Sequence, residues 1–227
     1  MKKFAIIVAG GKGLRMDNGL PKQFIPIAGK PLLMHTVQRF YDTVPDIECF
    51  LVLPEGNIPY WRELCKEYGF GLPCRLVRGG ETRFHSVKNG LNVIAETGGV
   101  VAIHDGVRPF PSREMIVRAF SEAKTKGAVV PVIPVTESLR QINTEGSVIV
   151  DRYRYRLVQT PQTFQLEVLK KAYEQPYSEF FTDDASVVEA MGKEISLIEG
   201  NRENIKITHP EDLLWAEMYL KTTKQKS

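Results

Sequence analysis

Short apolar runs recur along this chain, and most are followed by a segment whose apolar residues repeat at helical spacing. That rhythm constrains the fold more than any other feature of the sequence. Phe4 to Ala9 is the first run. Behind Pro31, whose missing N–H suits the first turn of a helix, Leu33, Val37, Phe40 and Tyr41 fall on one helical face. Ile47 to Leu53 is a second run, and Pro59 opens a short helix to Tyr68. Cys74 to Val77 is a third, followed by a helix face of Phe84, Val87, Leu91 and Ile94. Val100 to His104 is a fourth, and Ser112 caps a helix carrying Ile116, Ala119, Phe120 and Ala123. Ala128 to Val132 is a fifth. Buried strands alternating with amphipathic helices give an α/β fold of Rossmann-like type, a mainly parallel twisted sheet with helices on both faces. Ligands of such sheets lie beyond the carboxyl ends of the strands, so the residues just after each run are the place to look for chemistry.

The rhythm breaks between Thr136 and Gln159. That stretch reads as two strands around a turn at Asn143-Thr144-Glu145-Gly146, a protruding β-hairpin arm at about 136–159. The α/β pattern then resumes. A helix starts at Asp183-Asp184 and ends before Gly192, Ile195 to Ile198 and Asn204 to Ile207 read as strands, and Thr208 with Glu211 forms a capping box for a last helix to Leu220. No linker or internal repeat divides the chain, so residues 1–227 are expected to form a single domain. No apolar run reaches the ~20 residues of a membrane span. The chain opens straight into a strand pattern, and a cytoplasmic protein without membrane association is expected. A net charge of +3 is too small to imply a polyanionic partner, so no nucleic acid is expected. Cys49, Cys65 and Cys74 are odd in number and lack C-x-x-C spacing, and the four histidines show no ligand spacing, so neither disulfides nor a zinc site is expected.

Four stretches carry the candidate chemistry. The first is Val8-Ala9-Gly10-Gly11-Lys12-Gly13-Leu14-Arg15-Met16, with Lys22 following in Pro-Lys-Gln-Phe. Glycines after a strand let backbone N–H groups approach an anion, and Lys and Arg at this density suit a polyphosphate; the blander reading is a tight turn with solvated charges. The loop is neither a P-loop, for lack of G-x-x-x-x-G-K-[ST], nor a dinucleotide fingerprint, for lack of the third glycine. In the second stretch, Val100 to Pro109, a buried strand ends in His104-Asp105-Gly106, which places Asp105 to hold Mg²⁺ or to cap the next turn, with Arg108 to meet an anion or pair with Asp105. The third, Arg78 to Val87, offers Gly79-Gly80 to lie against a flat base and Ser86 as a small donor and acceptor. In the fourth, Asp151 to Arg156, strand alternation would put Arg152, Arg154 and Arg156 on one face, for a salt-laced arm, a subunit contact or nucleic acid. Lys206, between Ile205 and Ile207, points outward by pattern, with nothing local to say whether it meets water or a site.

Taken together with Thr160-Pro161-Gln162, Thr182-Asp183-Asp184-Ala185-Ser186 and Asn204-Ile205-Lys206-Ile207-Thr208, these stretches resemble the 2-C-methyl-D-erythritol 4-phosphate cytidylyltransferases of the non-mevalonate isoprenoid pathway, over nearly the whole chain. The resemblance implies transfer of CMP from CTP to methylerythritol phosphate with release of pyrophosphate, by in-line attack at the α-phosphorus with Mg²⁺ or another divalent cation. It implies that Arg15 and Lys22 stabilise charge at the α-phosphate and that Asp105 lies by the metal. Ala9, Gly10, Gly11, Lys12 and Gly13 would wrap the triphosphate, and Gly80, Glu81, Ser86 and Gly106 would serve the nucleotide. Arg108, Thr160, Thr182 and Lys206 would serve the acceptor. Ser138 and Arg152 would complete the site of a second subunit through the arm, in a homodimer. The chain departs from the commonest family pattern at Glu81, Gly106 and Ser138, where aspartate, alanine and threonine are frequent. A pentitol-phosphate cytidylyltransferase acting on ribitol 5-phosphate shares the glycine loop, the Pro-Lys-Gln run and the His-Asp motif, and a nucleotide-binding module without activity is the non-enzymatic alternative.

Overall fold

The strands are built from residues that alternate between two separate cores. A computed structural model of the chain describes residues 1–10 and 20–224. The opening glycine loop from Gly11 onward, with Lys12, Gly13 and Arg15, lies outside the described residues. Strand β1 (Lys3–Val8) leads to a 3₁₀ turn at Lys22–Phe24 and a two-stranded ribbon, β2 (Pro26–Ile27) with β3 (Lys30–Pro31). There follow α1 (Leu32–Thr43), β4 (Ile47–Leu53), α2 (Ile58–Glu67), β5 (Cys74–Arg78), α3 (Arg83–Asn92), β6 (Val100–Asp105), α4 (Arg113–Lys126) and β7 (Ala128–Pro134). After β8 (Leu139–Asn143) and β9 (Gly146–Val150) come β10 (Arg156–Val158), β11 (Gln162–Gln165), α5 (Leu166–Ala172), α6 (Asp184–Glu189), β12 (Ser196–Glu199) and α7 (Pro210–Lys224).

Parallel neighbours β6, β1, β4 and β5 form the centre of the main sheet. Strand β11 runs antiparallel between β6 and β7, β10 is antiparallel to β7, and β12 is parallel to it. Period-two alternation sends Ala5 and Ile7 of β1 into a core with α1, α2 and α4, while Phe4 and Ile6 join α3, α5 and α6 on the other face. After β1 the chain proceeds to β4 and β5 on one side, then returns to place β6 on the other. The carboxyl ends of β1 and β6 therefore meet at a topological switch point, where α/β sheets open a crevice. Ladder-like bonds continue past the strand ends, from Ala9 N–H to the Val52 carbonyl and from Gly106 N–H to the Val8 carbonyl, both 2.9 Å.

Several local expectations are corrected. The segment Asn204 to Ile207 is not a strand: the Asn204 carbonyl accepts Arg108 Nη1 at 2.8 Å, the Asn204 N–H turns back to the Asn201 carbonyl at 3.1 Å, and the Ile207 N–H donates to the Val107 carbonyl at 2.9 Å. Arg152 to Arg154 form a 3₁₀ turn, because the Asp151 carboxylate accepts the Tyr153 N–H at 3.0 Å and folds the chain on itself; the arginines do not share a strand face. The hairpin proper is β8 with β9, a two-stranded sheet of its own, whereas β10, also expected in the arm, belongs to the main sheet. At the start of α7 the cap is Asp212 rather than Glu211, its Oδ2 accepting the backbone N–H groups of Thr208 and His209 at 2.6 and 2.8 Å.

Helix α3 approaches β1 closely at Gly90, where an added Cβ would stand 2.8 Å from Ile6 Cγ2. Alanine would gain about 0.5–1 kcal/mol in helix propensity, but overpacking a filled core costs about 1–3 kcal/mol. Gly90→Ala is therefore expected to destabilise the protein by about 1–2 kcal/mol in urea titration; an unchanged or higher midpoint would show that Ile6 yields.

Candidate active site

At the carboxyl ends of β1, β4, β5 and β6 a cavity of about 810 Å³ opens. Its floor is Asp105, the last residue of β6, only 8% exposed. Lys206 Nζ lies 3.1 Å and Arg108 Nε 3.4 Å from Asp105 Oδ2, and Arg83 Nε lies 3.6 Å from Oδ1. Burial alone would raise the carboxyl's pKa, but Arg83, Lys206 and Arg108 outweigh it and hold the group well below the usual carboxylate range. Burial, with Arg83 as a lesser cause, lowers the pKa of Arg108 against the opposite pull of Asp105, and Arg108 Nη1 is anchored on the Asn204 carbonyl at 2.8 Å. Lys22, the first residue of the 3₁₀ turn that follows the glycine loop, has its ammonium pKa lowered by burial first and by Lys206 second. A cationic cluster around Asp105 is poised for a highly anionic ligand.

The strand end that carries Asp105 is fixed by a short polar chain. Asp105 N–H donates to Thr160 Oγ1 at 3.1 Å. The two ring nitrogens of His104 lie 2.9 Å from Thr160 Oγ1 and 2.8 Å from the Arg108 carbonyl. A carbonyl can only accept, so the proton sits on Nε2, and Nδ1 takes the Thr160 hydroxyl proton. His104 is fully buried and stays neutral, its pKa pushed down to about 4, with desolvation as the main cause.

The opposite wall is backbone. Gly79 and Gly80 follow β5, and Ser86 on α3 accepts the Gly80 N–H on its Oγ at 3.0 Å, which leaves the Ser86 hydroxyl proton for a ligand. Glycine is required at position 80 because a Cβ there would stand 2.4 Å from His85 Cβ and 2.9 Å from the His85 carbonyl carbon. Gly106 is likewise confined, its Cβ position 2.9 Å from both Ala9 Cβ and Leu33 Cδ1.

A family profile described as 2-C-methyl-D-erythritol 4-phosphate cytidylyltransferase matches residues 4–222. The chain belongs to that family. A relative from Bacteroides fragilis bearing the family's name is 56% identical over 220 residues, covering 97% of this chain and 100% of the relative. One from Phocaeicola vulgatus is 54% identical with the same coverage. Among solved structures, the 2-C-methyl-D-erythritol 4-phosphate cytidylyltransferase of Thermus thermophilus superposes with a TM-score of 0.79 at 33% identity, covering 97% of this chain and 100% of that one. The 4-diphosphocytidyl-2C-methyl-D-erythritol synthase of Anaerococcus prevotii superposes with a TM-score of 0.81 at 26% identity, covering 97% and 96%. The chain is thus an enzyme, a nucleotidyltransferase of isoprenoid biosynthesis.

Among the described residues, the cytidylyltransferase residues expected from the sequence fall into three groups. Ala9, Gly10, Lys22, Gly80, Glu81, Ser86, Asp105 and Lys206 line the cavity together. Arg108 and Thr160 stand behind it: Arg108 pairs with Asp105, and the Thr160 hydroxyl is committed to Asp105 and His104. Gly106 packs beneath Ala9. Thr182, exposed ahead of α6, and Ser138 and Arg152, at the base of the hairpin, do not line this cavity. Arg152 donates to the Thr136 carbonyl and lies over the Tyr153 ring. Arg83 and Gln23 were not singled out from the sequence, yet both line the cavity, and Gln23 holds the Ala9 carbonyl at 3.0 Å. A basic residue in the first turn after the Gly79-Gly80 strand end was the available signal for Arg83.

Thr160→Val removes the hydroxyl between two buried groups, and leaving each unpaired costs about 1–3 kcal/mol. The variant is expected to melt lower and to lose activity as the Asp105 backbone shifts, with Thr160→Ser restoring both; an active, equally stable valine variant would refute the assignment. His104 makes a pH prediction as well. Its folded pKa of about 4 lies below the ordinary 6.5, so the stability it contributes is complete above pH 6.5 and is lost as pH falls toward 4. That span corresponds to about 3 kcal/mol. Between pH 7 and 4, His104→Gln is expected to lose less stability than the wild type by roughly that amount in denaturant titrations.

Proposed function

We propose that this enzyme transfers CMP from CTP to 2-C-methyl-D-erythritol 4-phosphate, giving the CDP-alcohol and pyrophosphate, with residues 1–227 as one catalytic unit. The observation that carries the reading is the convergence of Lys22, Lys206, Arg83 and Arg108 around Asp105 at the ends of the central strands, facing a backbone wall at Gly80. In-line attack by the acceptor's phosphate oxygen on the α-phosphorus builds negative charge on the α-phosphoryl oxygens and on the departing pyrophosphate. No protein nucleophile is needed, and catalysis is positioning together with preorganised positive charge. Lys22, with Arg15 from the glycine loop, would meet that charge. Lys206 would leave Asp105 to hold the acceptor phosphate. The Gly80 wall and Ser86 would take the cytosine, whose edge offers donors and acceptors to backbone and hydroxyl.

The donor set also bears on a divalent cation. Asp105 is the carboxylate at the cavity floor, while Glu55 and Glu81 are exposed at its rim. Among the described residues no group of three metal-ligating side chains occurs. That set does not make a protein cage, but it fits Mg²⁺, which is commonly held by one or two carboxylates together with substrate phosphates. When bound, such a cation would neutralise phosphate charge, with Asp105 as its protein ligand. Apolar residues exposed on and beside the hairpin, among them Ile142, Ile149, Tyr153 and Leu157, support a homodimer in which Ser138 and Arg152 reach the partner's acceptor site. None of the described helices is long and apolar enough to cross a membrane.

The test is pyrophosphate release with CTP and Mg²⁺, comparing methylerythritol phosphate with ribitol 5-phosphate. Turnover is expected with the first acceptor, and Lys22→Ala should reduce kcat by about 10²-fold or more. Faster turnover with ribitol phosphate would reassign the acceptor, and an unimpaired Lys22 variant would remove that residue from the transition state.

A further inference from the structure

Arg83 touches two carboxylates, and the contacts are unequal. Its Nη2 donates to Asp184 Oδ2 at 2.6 Å, whereas its Nε stands 3.6 Å from Asp105 Oδ1. Asp184 has no exposed surface, and its other oxygen accepts the buried Tyr173 hydroxyl at 2.7 Å. Tyr173 stacks on Phe84 with centroids 4.6 Å apart. The first turn of α6, which carries Asp184, is fastened to β11: Gln162 donates to Asp183 Oδ2 at 2.7 Å and accepts the Ala185 N–H at 2.9 Å. Strand β11 in turn pairs with β6, which ends in Asp105. Arg83 is thus fixed from the side away from the cavity. Burial works against its charge, but Asp184, with smaller contributions from Asp105 and Tyr173, outweighs it and raises its pKa.

The three cations around Asp105 differ in freedom. Lys206 is 45% exposed on a flexible stem and shares Oδ2 with Arg108. On the Oδ1 side stands Arg83, whose Nη2 is committed to Asp184. An entering polyphosphate competes for Lys206 but cannot draw Arg83 without stripping a buried carboxylate of its partner, which is strongly unfavourable.

We propose that Arg83 is a positioning residue of the transfer reaction: held by Asp184 and Tyr173, it keeps the Asp105 carboxylate in place while Lys206 turns to the substrate phosphates. The proposal rests on the assignment of Asp105 and Lys206 to the reacting site. It makes Asp184, which lies outside the cavity lining, matter for turnover. It also distinguishes Arg83 from lysine, which has no planar fork to span two carboxylates.

The experiment compares Arg83→Lys, Asp184→Asn, their double variant and Tyr173→Phe, with Asp105→Asn as control. Steady-state pyrophosphate release, CTP affinity by calorimetry and thermal melting are measured for each. Arg83→Lys and Asp184→Asn are expected to lower kcat by about 10- to 100-fold, as for a misplaced reacting geometry, with CTP affinity changed less than about 3-fold. The double variant should be no worse than the more impaired single, because both act through one brace. Tyr173→Phe, which keeps the ion pair and the core volume, should lower kcat in the same direction by a smaller factor. A purely structural role would instead lower melting temperatures while kcat per folded enzyme stayed unchanged, and this outcome overturns the proposal. Weakened CTP binding with unchanged kcat also overturns it, making Arg83 a direct phosphate ligand. Full activity in Asp105→Asn would overturn the underlying site assignment, independently of the brace.

Discussion

The site depends on keeping one carboxylate ionised in a place from which water is largely excluded. Asp105 sits at the end of a strand buried along its whole length, and desolvation there favours the neutral acid. Arg83, Arg108 and Lys206 reverse that preference, each arriving from a different part of the chain: the start of α3, the turn after β6 and the segment before α7. The arrangement needs the sheet order β6-β1-β4-β5, with the chain doubling back, because that order brings these segments to one end of the strands. The charge cluster explains why the fold is organised as it is around this end, and the fold explains how such a cluster is tolerated.

Much of the fold was legible in the sequence because its central strands are buried on both faces and its helices on one. Two-sided burial writes continuous apolar runs, as in Phe4 to Ala9 and Val100 to His104, and one-sided burial writes helical spacing, as in Leu33, Val37 and Phe40. Strand ends then pointed to the site. Ala9, Gly10, Gly80 and Asp105 follow or close strands in sequence and meet at one cavity in space.

The remainder was hidden where local pattern and tertiary demand disagree. Strand β11 is only Gln162 to Gln165, too short and too polar to write a period, and it exists because β6 and β7 each leave an edge for it. The alternating arginines after Asp151 obey strand spacing, but an aspartate that accepts a hydrogen bond two residues on makes a turn first. Lys206 shows the same limit. Its flanking isoleucines suggested a strand, whereas the segment is held by the Asn204 side chain donating to the Thr160 carbonyl at 2.8 Å and by the backbone bond at Ile207. Arg83 gave a weak signal because its importance lies in Asp184, far away along the chain.

The separation of the two cores has a consequence for how this architecture can diversify. Ala5 and Ile7 answer to α1, α2 and α4, and Phe4 and Ile6 to the opposite helices, so packing constraints on one face are nearly independent of those on the other. Beyond the strand ends a smaller cluster takes over, in which Val107 and Phe110 after β6 pack on Ile27, Leu32 and Ile207. Exposed residues of the carboxyl-end loops carry little of that packing. Substitution at an exposed rim residue such as Glu81, or in the outlying hairpin, therefore leaves the buried scaffold undisturbed.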